Sequence, residues 1–566
     1  MNQIPDETRE LKRLRVLSVL IAILLGFLLS WATRYSMTSD SLSYIDIAGY
    51  FSEGDWEAAL RPSWCPLFPF LVSIGFYVLK PTPYWEFQVL HLVNFLVYIG
   101  TIFAFDFFIC ELLKHYKKRE SNLDKNNLIA FPAWALLSVS YTIFIFCSLH
   151  LIGLWGPDPD MCFAAFAYLS SGLVLKIYRG HNNWFIFLLL GVSLGFGYLA
   201  KTPMFILAFI YLGMCMFCTQ DRLWNRAMKT FLALAVFILI STPYIVAISN
   251  LKGHFTFGES GKLNYAWYIN DIAPFTHWQG TPGKEKPIHP TRKIFSDPPV
   301  YEFASPIKGT YPPFFDPSYW YDGIEAKFDF FRQICAIAAS TNIYYQVFFN
   351  YLGVLVFTII VLSAIAYEKI NPLKNIFQQW VLLIPSLAAF AMFSLVHLEA
   401  RYIAAFVVIF WIALLYSVLL QNTNEFKKLL EYVAVGIIVM IMATTATMTV
   451  QEVSLWQKDG QEHTDWEVAN AISKLGIHKG DKIATIGYAV PYSAYWARLA
   501  KVQIISEITT KDADKFWSSS DSIKEEVIKV IKNTGAKAIV AYKIPSCCNK
   551  NGWKDLEKGK CFIYLF

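Results

Sequence analysis

Charged residues are scarce in this chain. Asp, Glu, Lys and Arg make up 16% of its 566 residues, whereas apolar residues make up 55%. The length leaves room for several soluble domains, but so little charge excludes that organisation. The Lys and Arg residues form no basic stripe outside short loops, so nothing supports a nucleic acid as a partner.

Two further absences narrow the class of protein. The sequence has no internal repeat of fixed period, whereas duplicated halves are frequent in membrane transporters. The first apolar run, 16–31, is too long for a removable signal peptide and has no small-residue cleavage site after it. We therefore interpret this run as a retained membrane anchor.

Long apolar runs are what the chain has in abundance. Each run approaches the roughly 20 residues that cross the hydrocarbon layer as a helix, in which every backbone polar group is satisfied internally. The sequence thus predicts a polytopic α-helical membrane protein with about eleven transmembrane helices. The predicted spans are 15–33, 86–113, 128–148, 160–178, 183–200, 203–218, 226–249, 345–367, 376–396, 401–421 and 428–450.

The loops between these spans differ in charge. Lys and Arg cluster in every second loop, as in KHYKKRESNLDKNN at 114–127. Because short basic loops stay in the cytoplasm, the N-terminus is predicted to be cytoplasmic and the C-terminus extracytoplasmic. This orientation gives a membrane domain, 1–450, with outer loops at 34–85 and 250–343, and a soluble extracytoplasmic domain, 451–566.

The C-terminal region predicts a small α/β domain. Residues 481–488 and 537–542 have the apolar pattern of strands, and 522–534 between them has helical spacing. Because this side of the membrane is oxidising, we expect one disulfide, from the last of three cysteines to either of the first two. The three are Cys547, Cys548 and Cys561.

Polar residues that can carry chemistry lie in the predicted outer loops. Asp40 follows the first span, and Arg61 lies in the same loop within RPSWCPLFPFL. Asp40 alone is also compatible with a solvated loop carboxylate. Asp158 and Asp160 lie at the start of the fourth span in GPDPD, where they are either active-site carboxylates or N-terminal caps of the helix.

A second polar group lies at the ends of later spans. Lys201 interrupts an apolar segment in YLAKTP, either as a functional charge at membrane depth or as a side chain that reaches the interface. His397, Glu399 and Arg401 lie in HLEARY. Because Glu399 and Arg401 are two residues apart, they would not face each other on a helix, and we expect no simple ion pair between them. Carboxylates that can act as a base or bind a metal, beside cations suited to a phosphate, indicate transfer from a phosphate-activated donor.

The order of these segments resembles the membrane glycosyltransferases of the GT-C fold. The resemblance is strongest to bacterial relatives of the dolichyl-phosphate-mannose protein mannosyltransferases and to the aminoarabinose transferases. It covers about 15–450 and rests on the segments DSLSYIDIA from Asp40, RPSWCPLFPFL, PDPDMCFAAF, YLAKTP and HLEARY. Many relatives have Glu after the first Asp, whereas this chain has Ser41.

The resemblance implies an inverting glycosyltransferase of the bacterial inner membrane. The enzyme would move a hexose or pentose from a polyprenyl-phosphate carrier in the lipid to an envelope acceptor, which is a glycolipid such as lipopolysaccharide, another glycan or a protein. Asp40 would be the general base, and the lipid phosphate would be bound by Lys201, Arg401 and Arg61. The supporting residues would be Asp158, Asp160, His397 and Glu399. The first two of these are also candidate ligands for a divalent cation, Mg²⁺ or Mn²⁺.

Functions of two other classes stay open on the sequence alone. A transporter or flippase of lipid-linked or envelope precursors would carry charges near the middle of its spans. A non-catalytic envelope assembly protein would use the C-terminal region as a binding module. The aromatic residues of the long loop 250–343 also have two interpretations, which are contact with a sugar or prenyl chain and packing at the membrane interface. They are Tyr265, Trp267, Tyr319 and Trp320.

Overall fold

Helices form most of the protein. The structure, a computed structural model, describes residues 9–566 except 124–126, 220, 274–276, 281–284, 367–370, 459–463, 489–492, 547, 549 and 558. The helices of the first part are α1 (Arg9–Ala32), α2 (Ser39–Glu53), α3 (Trp56–Ala59), α4 (Leu67–Leu79), α5 (Glu86–Leu123), α6 (Ala133–Phe146), α7 (Asp160–Tyr178), α8 (Trp184–Ala200), α9 (Pro203–Cys218) and α10 (Leu223–Lys252). They are followed by α11 (Ser260–Tyr268), α12 (Pro312–Phe315), α13 (Pro317–Trp320), α14 (Phe330–Tyr345), α15 (Gly353–Ala364), α16 (Pro372–Phe377), α17 (Trp380–Ser394), α18 (Ala400–Ser417) and α19 (Asn424–Lys458).

The apolar helices match the predicted spans. Among the described residues, seven helices are long and apolar enough to cross a membrane, and the pair α14 and α15 makes an eighth if it counts as one span bent by 75°. Helices α8, α9 and α17 are apolar but shorter. Each of the eleven predicted spans falls on one of these helices. The number of helices that cross the bilayer stays a prediction.

Two π-helical segments extend the apolar helices. The segment Cys147–Gly153 continues α6, and Gln346–Tyr351 separates α14 from α15. Such segments rotate the side chains that follow them relative to a regular α-helix, and they are frequent at functional sites. Here the first of them leads directly into the GPDPD turn at 156–160.

The first outer loop, predicted at 34–85, folds into α2, α3 and α4. The N-cap of helix α2 is Thr38, which exchanges hydrogen bonds with Ser41 in a capping box and so satisfies two backbone N–H groups of the first turn. The C-cap is Gly54, whose φ of 79° favours glycine. Both ends of the helix that carries Asp40 are therefore specified locally.

A seven-stranded sheet forms most of the C-terminal region. Its strands are β2 (Arg292–Phe295), β3 (Val300–Glu302), β5 (Lys482–Ile486), β6 (Gln503–Ile508), β7 (Ala538–Tyr542), β8 (Trp553–Glu557) and β9 (Cys561–Leu565), in the order β2-β3-β6-β5-β7-β9-β8. The short strands β1 (Leu128–Ile129) and β4 (Leu420–Gln421) pair separately. The remaining helices are α20 (Thr464–Lys474), α21 (Tyr495–Leu499), α22 (Ala513–Ser518) and α23 (Asp521–Asn533). The predicted strand, helix and strand are thus confirmed as β5, α23 and β7.

The sheet also contains a part that the sequence did not indicate. Strands β2 and β3 belong to the long loop 250–343, and β3 pairs antiparallel with β6 through Tyr301 and Glu507. One hydrophobic core runs through this region, and its buried members include Ile45 of α2, Tyr311 of the long loop and Val540 of β7. The first outer loop, the long loop and the sheet therefore pack as one layer, and the division at residue 450 stays a prediction.

Candidate active site

Arg401, the second residue of α18, connects carboxylates from three segments. Its Nε donates a 2.6 Å hydrogen bond to Glu399, and its Nη1 donates one of 2.6 Å to Asp158. The Nη2 group donates a 3.2 Å hydrogen bond to Asp40. Nη1 also lies 3.6 Å from a carboxylate oxygen of Asp160. Four carboxylates therefore share one guanidinium, and we name this set the Arg401 cluster.

Lys201 adds a second cation to the Arg401 cluster. Its ammonium group hydrogen-bonds to Asp160 and lies 3.8 Å from the centre of the Tyr402 ring. The chain is extended at Lys201, where α8 ends, and Pro203 begins α9. This break between two apolar helices turns the lysine side chain towards a carboxylate that is 1% exposed. A buried partner of opposite charge offsets the cost of removing the ammonium group from water.

The contact between Glu399 and Arg401 differs from the prediction. We expected no ion pair between them, but Nε of Arg401 lies 2.6 Å from Glu399. The expectation was wrong because it assumed a helix through both residues, whereas Glu399 precedes α18 with an extended φ of −121° and ψ of 149°. In that conformation the side chain of Glu399 turns back to the guanidinium, which it orients.

The GPDPD turn holds its two carboxylates against these cations. Asp158 accepts a 2.9 Å hydrogen bond from the backbone N–H of Asp160, the first residue of α7. The residue at the N-cap position itself is Pro159, which provides no side-chain cap. Asp160 gains from the positive end of the helix dipole, as the structural interpretation expected, but both carboxylates also bind cations of the cluster.

Asp40 lies in the first turn of α2, next to the GPDPD turn at 156–160. The hydroxyl of Ser41 donates a 2.8 Å hydrogen bond to the carbonyl oxygen of Pro157, so the residue that departs from the family pattern ties α2 to GPDPD. Gly156 allows this approach, because a Cβ there would lie 2.6 Å from the side chain of Thr38. The Asp40 side chain remains 28% exposed, so it is accessible from outside the cluster.

Two aromatic residues of the site were missed by the sequence analysis. The Tyr402 hydroxyl donates a 3.1 Å hydrogen bond to Glu399, and Tyr268 of the long loop stacks on His397 at 3.9 Å between ring centres. His397 in turn lies 3.2 Å from Glu399. Tyr402 follows Arg401 directly, so its position in HLEARY was a usable signal; nothing in the sequence pointed to Tyr268.

The pKa values of two carboxylates of the cluster shift in opposite directions. It raises the pKa of Asp40 above the usual value of 3.8, and the nearby charge of Arg401 offsets only part of this effect. Burial also acts on Glu399, but hydrogen bonds from His397 and Arg401 outweigh it and lower the pKa of Glu399. Asp40 is therefore the stronger base of the two, as a proton acceptor requires.

Arg61 is not brought to the Arg401 cluster. Its Nη1 lies 3.5 Å from Asp316 of the long loop, and its Nε and Nη2 donate hydrogen bonds to the carbonyl oxygens of Ala58 and Glu57. The guanidinium also lies 5.6 Å from the ring centre of Phe315. These contacts fix the first outer loop against the long loop.

The aromatic residues named for the long loop pack within the protein. The Tyr265 hydroxyl donates a 3.0 Å hydrogen bond to Gln333, and the Trp320 indole N–H donates one of 2.9 Å to the carbonyl oxygen of Pro312. Trp267 packs edge-on against Tyr321, and Tyr319 stacks on a histidine of the same loop. Their contacts are thus with this loop and with α14.

The residues do not fit a metal ion as they are arranged. Asp158 and Asp160 face Arg401 and Lys201, whose charges neutralise them. Within the described ranges, no group of three or more His, Cys, Asp or Glu side chains is arranged to hold a metal. The divalent cation at Asp158 and Asp160 stays a prediction.

The predicted disulfide is tested only in part. The Cys561 thiol lies 2.9 Å from the Tyr488 hydroxyl, and the Cys548 thiol lies 3.4 Å from the carbonyl oxygen of Trp517. In the part of the chain that the structure describes, Cys561 is therefore not joined to Cys548. Cys547 lies outside the described residues, and a pairing with it stays a prediction.

Comparisons with known proteins bear on the fold. No protein-family model and no curated protein sequence matches the chain. The structure of ArnT from Cupriavidus metallidurans in the apo state is similar, with 11% identity, a TM-score of 0.51 and 97% of each chain covered. ArnT bound to undecaprenyl phosphate has a TM-score of 0.48 at 11% identity over the same share of both chains. The apo oligosaccharyltransferase of Archaeoglobus fulgidus has a TM-score of 0.48 at 14% identity and covers 94% of this chain and 70% of its own. The chain therefore has the fold of ArnT, the GT-C membrane fold that the order of its motifs implied.

Proposed function

We propose that the protein is an inverting glycosyltransferase that moves a sugar from a polyprenyl-phosphate donor to an envelope acceptor. The observation that carries this proposal is the contact between Asp40, a candidate base, and Arg401, a candidate phosphate ligand, 361 residues apart in the chain. Transfer from a phosphate needs a proton acceptor beside groups that stabilise the departing charge. The GT-C fold supports the proposal, because aminoarabinose transfer is performed on the same fold.

In the chemical step, the carboxylate of Asp40 acts on the acceptor, and the cations Arg401 and Lys201 act on the donor phosphate. Asp40 takes the proton of the acceptor hydroxyl while the oxygen of that hydroxyl forms a bond to the anomeric carbon. The bond from this carbon to the phosphate oxygen breaks, the configuration inverts, and the electron pair leaves on the polyprenyl phosphate. Arg401 and Lys201 stabilise the negative charge that develops on the phosphate.

Arg401 can bind a phosphate without losing its orientation. A guanidinium has five N–H groups. The hydrogen bonds to Glu399, Asp158 and Asp40 engage three of them. A phosphate oxygen can therefore approach the Nη atoms while Glu399 still holds Nε.

We assign this chemistry to the outer face of the bacterial inner membrane, with the N-terminus in the cytoplasm. The Arg401 cluster follows the C-terminal end of α1 at Asp40, whereas the contact of Arg15 with Asp106, 3.3 Å long, lies near the opposite end of α1. Basic residues at that end support a cytoplasmic location for it. Catalysis then belongs to 1–450, and 451–566 faces the envelope.

Reconstitution tests the proposed function. Purified protein in vesicles with a polyprenyl-phosphate hexose or pentose should consume the donor and release polyprenyl phosphate. Mass spectrometry of envelope glycolipids, glycans and glycoproteins, with and without the protein, should show a sugar that depends on it. An added chelator shows whether Mg²⁺ or Mn²⁺ takes part. Donor that stays intact with every acceptor fraction would contradict the proposal.

Lys201→Ala should raise the KM for the donor about tenfold, because a charge-assisted contact with the phosphate is lost. Steady-state kinetics with the reconstituted protein measures this change. The matched control is Lys308→Ala, which removes a 58% exposed lysine paired with Asp55 outside the cluster. An unchanged donor KM in Lys201→Ala would remove Lys201 from the phosphate site.

A further inference from the structure

A second buried charge network lies further along α2, at Asp46. Arg498 of α21 donates a 2.9 Å hydrogen bond through Nε to Glu86 and one of 3.0 Å through Nη1 to Asp46. Lys501 also binds Glu86. The side chains of Arg498, Asp46 and Glu86 are 11%, 3% and 6% exposed. A network this deeply buried tolerates little displacement, because an unpaired charge at such a depth is costly.

Asp46 is also bound by the long loop. Thr310 donates to it through its backbone N–H at 2.7 Å and through its hydroxyl at 2.8 Å. The carbonyl oxygen of Thr310 accepts a 2.9 Å hydrogen bond from Ile504 of β6. Asp46 thus joins α2, the long loop and the sheet. Gly49 leaves room for the guanidinium, because a Cβ there would lie 3.2 Å from Nη2 of Arg498.

The same C-terminal region also contacts the residues just before α2. The Tyr495 hydroxyl donates a 3.3 Å hydrogen bond to the carbonyl oxygen of Met37, next to the capping residue Thr38. The ring of Trp466 packs edge-on against Tyr35 at 5.4 Å between ring centres. Contacts of α20 and α21 therefore bracket Asp40 along the chain, with Met37 before it and Asp46 after it.

We propose that Arg498 is a positioning residue for sugar transfer, which holds α2 between the C-terminal region and the long loop so that Asp40 stays aligned with Arg401. The proposal rests on the proposed function. Asp46 is six residues from Asp40, about 9 Å along the helix. Because Asp40 and Asp46 lie on one continuous helix, a shift at Asp46 would be transmitted to Asp40, and about 1 Å of misplacement of a reacting group can cost about 100-fold in rate.

Two mild substitutions test the role of Arg498. Arg498→Lys keeps the charge but gives a compact ammonium that cannot bridge two carboxylates in the same way. Thr310→Val keeps the backbone hydrogen bond to Asp46 and removes the one from the hydroxyl. We expect Arg498→Lys to lower kcat about tenfold and Thr310→Val about threefold. The donor KM should stay within about twofold, because neither Arg401 nor Lys201 lies on α2 or in the C-terminal region.

Hydrogen exchange of the α2 amides supplies a readout that needs no substrate. We expect faster exchange at 42–52 in both variants and unchanged exchange in α7 and α18. The control Arg292→Ala removes a 72% exposed arginine from β2 of the same sheet, and it should match the natural protein in both measurements.

The outcomes separate the two proposals. If both variants keep the natural kcat per mole of folded protein, or if α2 exchange is unchanged, Arg498 does not position Asp40. If the natural protein transfers no sugar, the proposed function is wrong. Faster α2 exchange in the variants would then still show that Arg498 stabilises the position of α2.

Discussion

Asp40→Asn should lower kcat for sugar transfer about 1,000-fold, because the amide cannot accept the proton of the acceptor hydroxyl. The asparagine oxygen can still accept the 3.2 Å hydrogen bond that Arg401 donates, so the fold and the donor KM should change little. Donor turnover by the reconstituted variant, compared at equal amounts of folded protein, measures the effect.

The matched control for this substitution is Asp55→Asn. Asp55 lies in the same outer loop, caps α3 and pairs with Lys308, and asparagine is an equally good cap. Its activity should equal that of the natural protein. The pH profile gives a second check: Asp40 acts when ionised, and its pKa is raised, so activity should fall as the pH drops through a value above 3.8. Substantial activity in Asp40→Asn would assign the proton to another group.

Arg401→Lys should lower kcat/KM about 100-fold. An ammonium group cannot hold Glu399, Asp158 and Asp40 together, as the planar guanidinium does, and loss of one preorganised donor at a developing charge costs about this much. Steady-state kinetics and the affinity for polyprenyl phosphate alone measure the loss in transfer and in binding.

Arg332→Lys is the control for Arg401→Lys. Arg332 is 47% exposed and pairs with Asp271 and Asp329, away from the cluster, so its replacement should leave transfer unchanged. Full activity in Arg401→Lys would mean that any positive charge suffices and would contradict the role of the guanidinium as a shared ligand. Thermal unfolding of both variants shows whether either substitution lowers the stability of the protein.

The sequence predicted the cluster better than it predicted the contacts within it. Alternating loop charge assigned Asp40, Asp158, Lys201 and Arg401 to one side of the membrane, and the structure brings these four residues together at one end of the helices. Hydropathy located the apolar helices because the length of an apolar run can be read from the local sequence. The ion pair of Glu399 was not expected, because the sequence does not show that α18 begins only after Glu399 and that the backbone is extended there.

Contacts between distant segments account for the other differences. Arg61 was grouped with the phosphate ligands, but its position depends on Asp316, 255 residues away. The joining of β3 to β6 depends on a partner about 200 residues later in the chain, which no pattern within 250–343 could reveal. The 75° bend between α14 and α15 lies directly after the π-helical segment Gln346–Tyr351, and hydropathy gives no sign of where a helix bends.

The seven-stranded sheet, which combines strands of the long loop with strands of the C-terminal region, constrains the order in which the newly made chain can assemble. Glu302 pairs with Ser506, so β3 must wait for a strand that leaves the ribosome about 200 residues later, or roughly 10–40 s at about 5–20 residues per second. During that interval Val300 and Phe303, both buried in the finished protein, lack their final cover. A chain that stops before β6 could insert its early helices and would still leave this edge open to mispairing and proteolysis.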